Sequence, residues 1–418
     1  MAFTQAVVFQ DGPRIYVSGR VGIGDYKIIL ATLHQMVNGG GYQDIELDFS
    51  RCANAYPGGM LPICSYVMNL RNSRVDTELI LPDDTKLANR FINTHWAHLI
   101  EPRKYDPPIK PPQNQIPALR FTNSTEQQEC VNRVLETMLG TVTGLSRSNF
   151  SAVEWALNEV TDNVLNHAQS SVGGLVQLTA HQKNRRAIEY TVCDAGLGIP
   201  KTLRTALPEL HDDIQALEQA VKEGVTRNKS TNQGNGLFGS FEICRVSGGV
   251  FRLHSGNAIL ELENGSARFF NNKIPFSGTL IDATINIADR NILDKALRFN
   301  GKVHQPSDLI EYKYEDESLK YVDFNMEGES RSFGSRAAAK PIKIKLTNLL
   351  EMCQDQIIRI DFSGVSVISS SFADEVFGML FVELGAMTFM SRIRFTKTSP
   401  TITGLIDRAI AQRVRTGL

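Results

Sequence analysis

WALNEVTDNVLNHA, residues 155–168, organises the rest of this chain. On a helix, residues four apart share a face, so Glu159, Asn163 and His167 fall on one polar line. Trp155, Leu157, Val160, Val164 and Leu165 cover the other sides. A solvated helix carries long charged side chains on its polar face; this one carries a carboxylate, an amide and an imidazole. That combination predicts a helix packed inside the protein and lining a wet pocket.

Two further pieces follow. In VCDAGLGIP, 192–200, a buried strand at 190–193 is broken by Asp194-Ala-Gly196-Leu-Gly198. Glycine allows positive φ and close approach of the backbone to a ligand, and one carboxylate at the strand end can accept a hydrogen bond from an exocyclic amine. In NQGNGLFG, 232–239, a glycine-rich turn enters an apolar helix at 237–246. Amides at such a helix start bind anions and phosphates.

These residues resemble the GHKL ATP-binding fold shared by gyrase, Hsp90, histidine kinases and MutL. Glu159 and Asn163 match its N box, and Asp194, Gly196 and Gly198 match its G1 box. Gly234, Gly236, Leu237 and Gly239 resemble its G2 box, and Gly278-Thr279, opening GTLIDATINI, looks like the last box. The resemblance implies ATP and Mg²⁺ as ligands, with the amide oxygen of Asn163 on the metal and Glu159 as the base that deprotonates the nucleophile. It further implies that Asp194 holds the adenine amine, assisted through water by Thr279. The insert at 208–229, with a helix at 212–223, would be a mobile lid carrying Arg227 and Lys229 toward the phosphates.

The 418 residues are 42% apolar and 21% charged, which suits two to four domains with proper cores. A formal charge of −1 gives no bulk basicity for nucleic acid. The six cysteines show no Cys-x-x-Cys spacing and sit in apolar runs, as reduced thiols in a cytoplasm do. No signal peptide is read at the N-terminus, and the most apolar helix, 376–390, is too short to span a bilayer. The expectation is a cytoplasmic protein that engages neither membrane nor nucleic acid.

The fold expected is α/β and multidomain: a central two-layer sandwich with a mixed sheet, flanked by small α/β domains. Residues 1–106 form the first, with strands at 14–18, 44–50 and 78–81 and helices at 25–38, 60–71 and 84–93. Prolines at 107–108 and 111–112 stiffen a linker over 107–117. The ATP-binding domain covers 118–290, and 291–332, with EYKYEDESLKY, is a polar connector. In 333–418, Ser335 caps a helix that Pro341 should break or kink, followed by strand 357–362, helix 372–384, strand 393–396 and helix 402–412.

The two ends share a plan of strand, Asp-Phe-Ser, loop and apolar helix, with Asp48-Phe49-Ser50 opposite Asp361-Phe362-Ser363. Both resemble STAS-type domains, the fold of anti-sigma-factor antagonists. The resemblance implies a phosphoacceptor serine after this strand, which falls on Ser370 within Ser369-Ser370-Ser371-Phe372. The usual Asp and Gly are Ser369 and Phe372 here. The N-terminal copy has Tyr56-Pro57-Gly58-Gly59 at that place and no serine. Three functions compete: a regulatory serine kinase acting on STAS-like domains and a protein partner, an ATP-driven switch with slow or no hydrolysis, and a histidine kinase. The last lacks a helical hairpin bearing a phosphoacceptor histidine. A homodimer is compatible with the family, though the sequence does not fix the subunit number.

Overall fold

The computed structural model describes residues 5–108, 115–181, 186–224, 236–299 and 301–416. The chain forms two compact units, one of residues 1–134 and 155–304, the other of residues 135–154 and 305–418.

The first unit begins with a five-stranded sheet. Strands β1 (Val7–Asp11), β2 (Arg14–Val21), β3 (Asp44–Asp48) and β5 (Asp76–Ile80) run in that order, and β4 (Cys52–Ala55) pairs with β2. Helices α1 (Tyr26–Asn38) and α2 (Pro57–Asn72) lie between the strands, and α3 (Thr85–Asn93) and α4 (Trp96–Ile100) follow them. Helix α2 starts at Pro57 rather than at 60, so both glycines fall in its first turn. They are required there by contact: a Cβ on Gly59 would stand 2.8 Å from Val21 O, and one on Gly58 would stand 3.1 Å from the Asp282 carboxylate.

The second sheet of this unit has the order β6 (Gln115–Phe121), β7 (Gly174–His181), β8 (Ala187–Asp194), β10 (Ser266–Asn286), β9 (Val250–Glu263). Between its strands come α5 (Ser124–Thr141), α6 (Arg147–Asn163) continued by a π-helical turn Val164–Ala168, α7 (Ile199–Arg204), α8 (Asp213–Ala220) and α9 (Gly236–Val246). Every described ladder is antiparallel, which corrects the mixed sheet expected. The helical crossover does make β9 run parallel to β8. However, the Asn264-Gly265 turn, with φ of 52° and 75°, returns β10 into the gap between them.

Alternation along β8 gives the sheet two different faces. Cys193 joins one continuous core with Met60, Cys64 and Trp96 of the N-terminal lobe, where Trp96 Nε1 donates to Gln177 Oε1 at 2.8 Å. The Tyr26 hydroxyl meets His254 Nδ1 at 3.0 Å in the same layer. Tyr190 and Asp194 point the other way, and Tyr190 meets Cys244 on α9. Helix α10 (Ile292–Ala296) and the short hairpin of β11 (Arg298–Phe299) and β12 (Lys302–Val303) complete the unit.

The second unit carries a parallel three-stranded sheet, β13 (Tyr321–Asn325), β14 (Ile357–Asp361) and β15 (Ile393–Thr396), with β14 central. The first of these strands, like α11 (Leu309–Lys313), lies in the stretch read as a polar connector. Around them are α12 (Met326–Glu329), α13 (Arg336–Met352), α14 (Ser370–Ala373) with a π-helical turn Asp374–Gly378, α15 (Met379–Leu384), α16 (Ala386–Arg392) and α17 (Pro400–Thr416). Ser335 caps α13 as expected, accepting from Ala338 N. Pro341 does not break the helix. It removes only the bond to the carbonyl of Ala337, a first-turn residue open to water. Buried Asn348 ties α13 to residues 139–145, donating to Leu139 O and Val142 O at 2.8 and 2.6 Å.

The internal likeness of the two ends extends to individual bonds. Asp48 accepts from Ser50 N at 2.8 Å, and Asp361 accepts from Ser363 N at 2.7 Å. Phe49 N donates to Ile80 O on the next parallel strand, and Phe362 N does the same to Thr396 O. Each phenylalanine carbonyl then accepts from the residue three places on, Cys52 or Val365. Both rings are buried.

Candidate functional site

Glu159 and Asn163 lie on α6, and its π-helical turn widens the coil directly after Asn163. Such turns interrupt α-helices most often at functional positions. Glu159 and Asn163 stand one turn apart and are half-buried, as is His167. The apolar residues Trp155, Ala156, Leu157 and Val160 are buried, so the face that carries the amide and carboxylate is set by packing of the rest.

The glycines mark where other elements press against this helix. Gly196 has no room for a Cβ because the carbonyl of Ala168 lies there, and Leu197 N donates to that same carbonyl at 2.7 Å. The loop after β8 is thereby stitched to the end of the α6 turn. At Gly236, the first residue of α9, the space a Cβ would take is filled by the carboxylate of Glu159. Gly239, one turn on, packs against the Trp155 ring. Glu159 therefore sits at the start of α9, where unpaired amides create a local preference for anions. Burial, with the nearby charge of Asp162, raises its carboxyl from the usual 4.5 to about 7.

Asp194 ends β8 and is 1% exposed. Its Oδ1 accepts from Gly196 N at 2.8 Å. Thr279 stands directly opposite in the β8–β10 ladder, and both its amide and its hydroxyl bond the carboxyl. Desolvation outweighs these bonds and lifts the carboxyl to about 7. The expected corner of Asp194, Gly196, Gly198 and Thr279 is thus assembled, with Thr279 reaching the carboxyl directly.

The helical half of the insert is docked. Asp213 takes Arg204 Nη2 at 2.5 Å and Asn257 N at 2.7 Å on its two oxygens, and Leu203, Leu210, Ala216 and Ala220 close a small apolar cluster against which Leu237 packs. The first turn of α8 is thereby tied to β9, while the polar run 228–235, expected to supply a lid's mobility, lies outside the described residues. Arg227, Lys229 and Gly234 lie outside the described residues.

Ser370 belongs to the second unit, where it is the exposed first residue of α14. Ser369 is the cap, accepting from Phe372 N at 3.0 Å and sharing a 3.0 Å hydrogen bond with Ser371. No helix among the described residues is long and apolar enough to cross a membrane, and all six cysteines are free and buried.

Sequence reasoning missed Ser255. Its hydroxyl accepts from Ile199 N at 2.9 Å and donates to Gly278 O at 2.7 Å. A lone serine in a strand gives no local signal, because its partners lie 56 and 23 residues away.

A helix bearing Glu159 and Asn163, a buried aspartate at a strand end, and a glycine-started helix between them define the class: a nucleotide-binding fold of the histidine kinase type. Residues 121–239 match the family described as histidine kinase-like ATPase domain. Residues 338–403 match the STAS-like domain of unknown function (DUF4325). The chain thus carries a histidine kinase-like ATPase domain together with a STAS-like domain, the composition of a regulatory ATP-binding module.

No curated protein matches the chain. Among solved structures, the histidine kinase domain of the Erythrobacter litoralis EL346 blue-light activated histidine kinase is 14% identical, with a TM-score of 0.20. That match covers 40% of this chain and 62% of the other, so the chain spans less than two thirds of that relative. Full-length ShkA in complex with AMPPNP is 11% identical, with a TM-score of 0.21, over 94% of this chain and 73% of that one.

Proposed function

We propose that this protein binds Mg-ATP and acts as a serine-kinase-like or ATPase module that controls its STAS-like domains and a protein partner. The observation that supports this most is the buried Asp194 corner. A carboxyl held by Gly196 and Thr279 at the end of β8 is suited to accept the exocyclic amine of adenine.

The residues present fit a nucleotide. The glycines at 196 and 236 let the Ala168 carbonyl and the Glu159 carboxylate approach their backbone closely, and the start of α9 is the kind of helix N-terminus that favours phosphate charge. Bound Mg²⁺ would neutralise phosphate oxygens as the transferring group moves. Asn163 would offer its amide oxygen to that ion, and Lys229 would add positive charge. Glu159, with its carboxyl near 7, is tuned to take the proton from a serine hydroxyl or a water at neutral pH, a contribution on the order of 10²–10⁴-fold. In the kinase reading the acceptor is Ser370: its Oγ–phosphorus bond forms, the bond to the β-phosphate oxygen breaks, and ADP leaves. Its exposure at a helix start supports this, because a phosphate there is favoured by the helix dipole.

A second reading, a nucleotide-gated switch or scaffold with little or no phosphotransfer, is favoured by the neighbouring Ser369, whose hydroxyl is engaged in capping where the family carries Asp. Incubation with Mg²⁺ and γ-labelled ATP, followed by mass spectrometry, separates the two. Label on Ser370 that is absent from Glu159→Ala and Ser370→Ala supports the kinase; free phosphate alone supports an ATPase. Failure of the wild-type protein to bind ATP at all would end both readings.

A further inference from the structure

We infer that Ser255 is the residue that fixes base specificity at this site, by bolting together the two backbone segments that present Asp194 to an adenine ring. The inference rests on the nucleotide reading above and names what sets its selectivity.

Three stretches of backbone converge at the corner: residues 194–199, Ser255 on β9, and Gly278-Thr279 on β10. The first and third supply the recognition groups, namely the Asp194 carboxyl and the Thr279 hydroxyl. Beside the Asp194–Thr279 bonds, one further side chain bridges them. The Ser255 hydroxyl receives the Ile199 amide and gives its own proton to the Gly278 carbonyl, so a single oxygen fills both its acceptor and donor roles across the gap. Ser255 is 0% exposed.

The fit around this oxygen is close. Gly198 has φ of +77°, and a Cβ there would come within 2.7 Å of the Ser255 oxygen and 2.9 Å of Gly278 O. Gly278 has φ of +125°, and a Cβ there would run into the carbonyl of Asp194. Both segments are thus backbone on backbone at positive φ, which glycine adopts and other residues do not. On the other flank, Thr202 adds only a bond back to Gly198 O within its own helix turn. Without the Ser255 bridge the Asp194–Thr279 pairing still joins the strands, but the Ile199 amide and the Gly278 carbonyl lose their shared partner and the loop can shift on that pairing. The carboxyl then loses the alignment that distinguishes an amine donor from a carbonyl acceptor at position 6 of the purine. Ser255 touches neither reacting atoms nor ligand in this account; it is a positioning residue.

The test is the ratio of ATP to ITP affinity, measured by competition against a fluorescent nucleotide on the full chain. Inosine carries an oxygen where adenine carries the amine, so Asp194 should repel it. Ser255→Ala is expected to weaken ATP by roughly tenfold while changing ITP by less than about threefold, which collapses the ratio. Loss of the buried bonds in a purely structural sense would weaken both nucleotides alike. Should the alanine variant fail to fold, Ser255→Cys fills the same space with a poor hydrogen-bonding group and must show the same fall. An unchanged ratio in the folded variant overturns the inference. Asp194→Asn is the control: if it too leaves the ratio unchanged, the adenine reading itself has failed, whereas a collapse with Asp194→Asn but not with Ser255→Ala refutes the bridge alone.

Discussion

Replacing Asp194 by asparagine should make the protein bind ATP poorly and yet hold its fold better in alkaline solution. Burial raises this carboxyl from 3.8 to about 7 against three hydrogen bonds that favour its ionised form. The folded state therefore holds the proton more tightly than the unfolded chain does. Ionisation costs nothing below about pH 4, costs more as the pH climbs toward 7, and is constant above that. At about 1.4 kcal/mol for each pH unit, wild type loses about 3 kcal/mol through this residue between pH 5 and pH 8. The variant cannot lose it. Its amide must turn an NH₂ toward a donor from Thr279 or Gly196, a fixed cost on the order of 1–3 kcal/mol that does not change with pH. Urea unfolding of both proteins at pH 5 and pH 8 reads the difference. The gap should move in favour of the variant by about 3 kcal/mol, while its ATP affinity at pH 8 is lower by about 10–100-fold, from loss of a charged acceptor. A gap that is the same at both pH values would refute the reasoning, since a solvated carboxyl has no such dependence.

Two other perturbations test other parts of the structure. If Glu159 is the base, turnover should rise with pH through about 7 and level off above it, and Glu159→Gln should be slower by about 10²–10⁴-fold with a flat profile and ATP binding retained, as stopped-time phosphate release would record. In the second unit, Arg147 forks onto Asp308 at 2.5 and 2.7 Å and onto Glu315 at 3.2 Å; Arg147→Met should leave those acids uncompensated and lower stability by roughly 3–5 kcal/mol in thermal unfolding followed by circular dichroism.

What could be read from the sequence was what short spacing records. Glu159 and Asn163 are one turn apart, and Asp194, Gly196 and Gly198 fall within five residues, so the residues that meet at the site announce themselves within each piece. The Asp-Phe-Ser turns were legible for the same reason, since the Asx bond spans two residues. Features that depend on distant pairing were not. The return of β10 between β8 and β9 is decided by a hairpin whose strands run up to 21 residues, and no local pattern tells which neighbour it will join. The docking of α8 depends on Asp213 meeting a backbone amide 44 residues away. Strand β13 is polar on its outer side, alternating half-buried or exposed Tyr321, Asp323 and Asn325 with buried Val322 and Phe324, and so blends with the charged stretch before it.

Gly58 and Asp282 carry one more consequence. The start of α2 is the N-terminal lobe's counterpart of the place where the C-terminal sheet presents Ser370. Here it is tight: a Cβ on Gly58 would stand 3.1 Å from the Asp282 carboxylate, itself buried and hydrogen-bonded to Thr191 at 2.7 Å. A phosphoryl group at this helix start would meet both a wall and a like charge. Of two related helix starts in one chain, one is crowded and one is exposed, so under the kinase proposal a phosphoryl mark would have a single address and its message would be one bit.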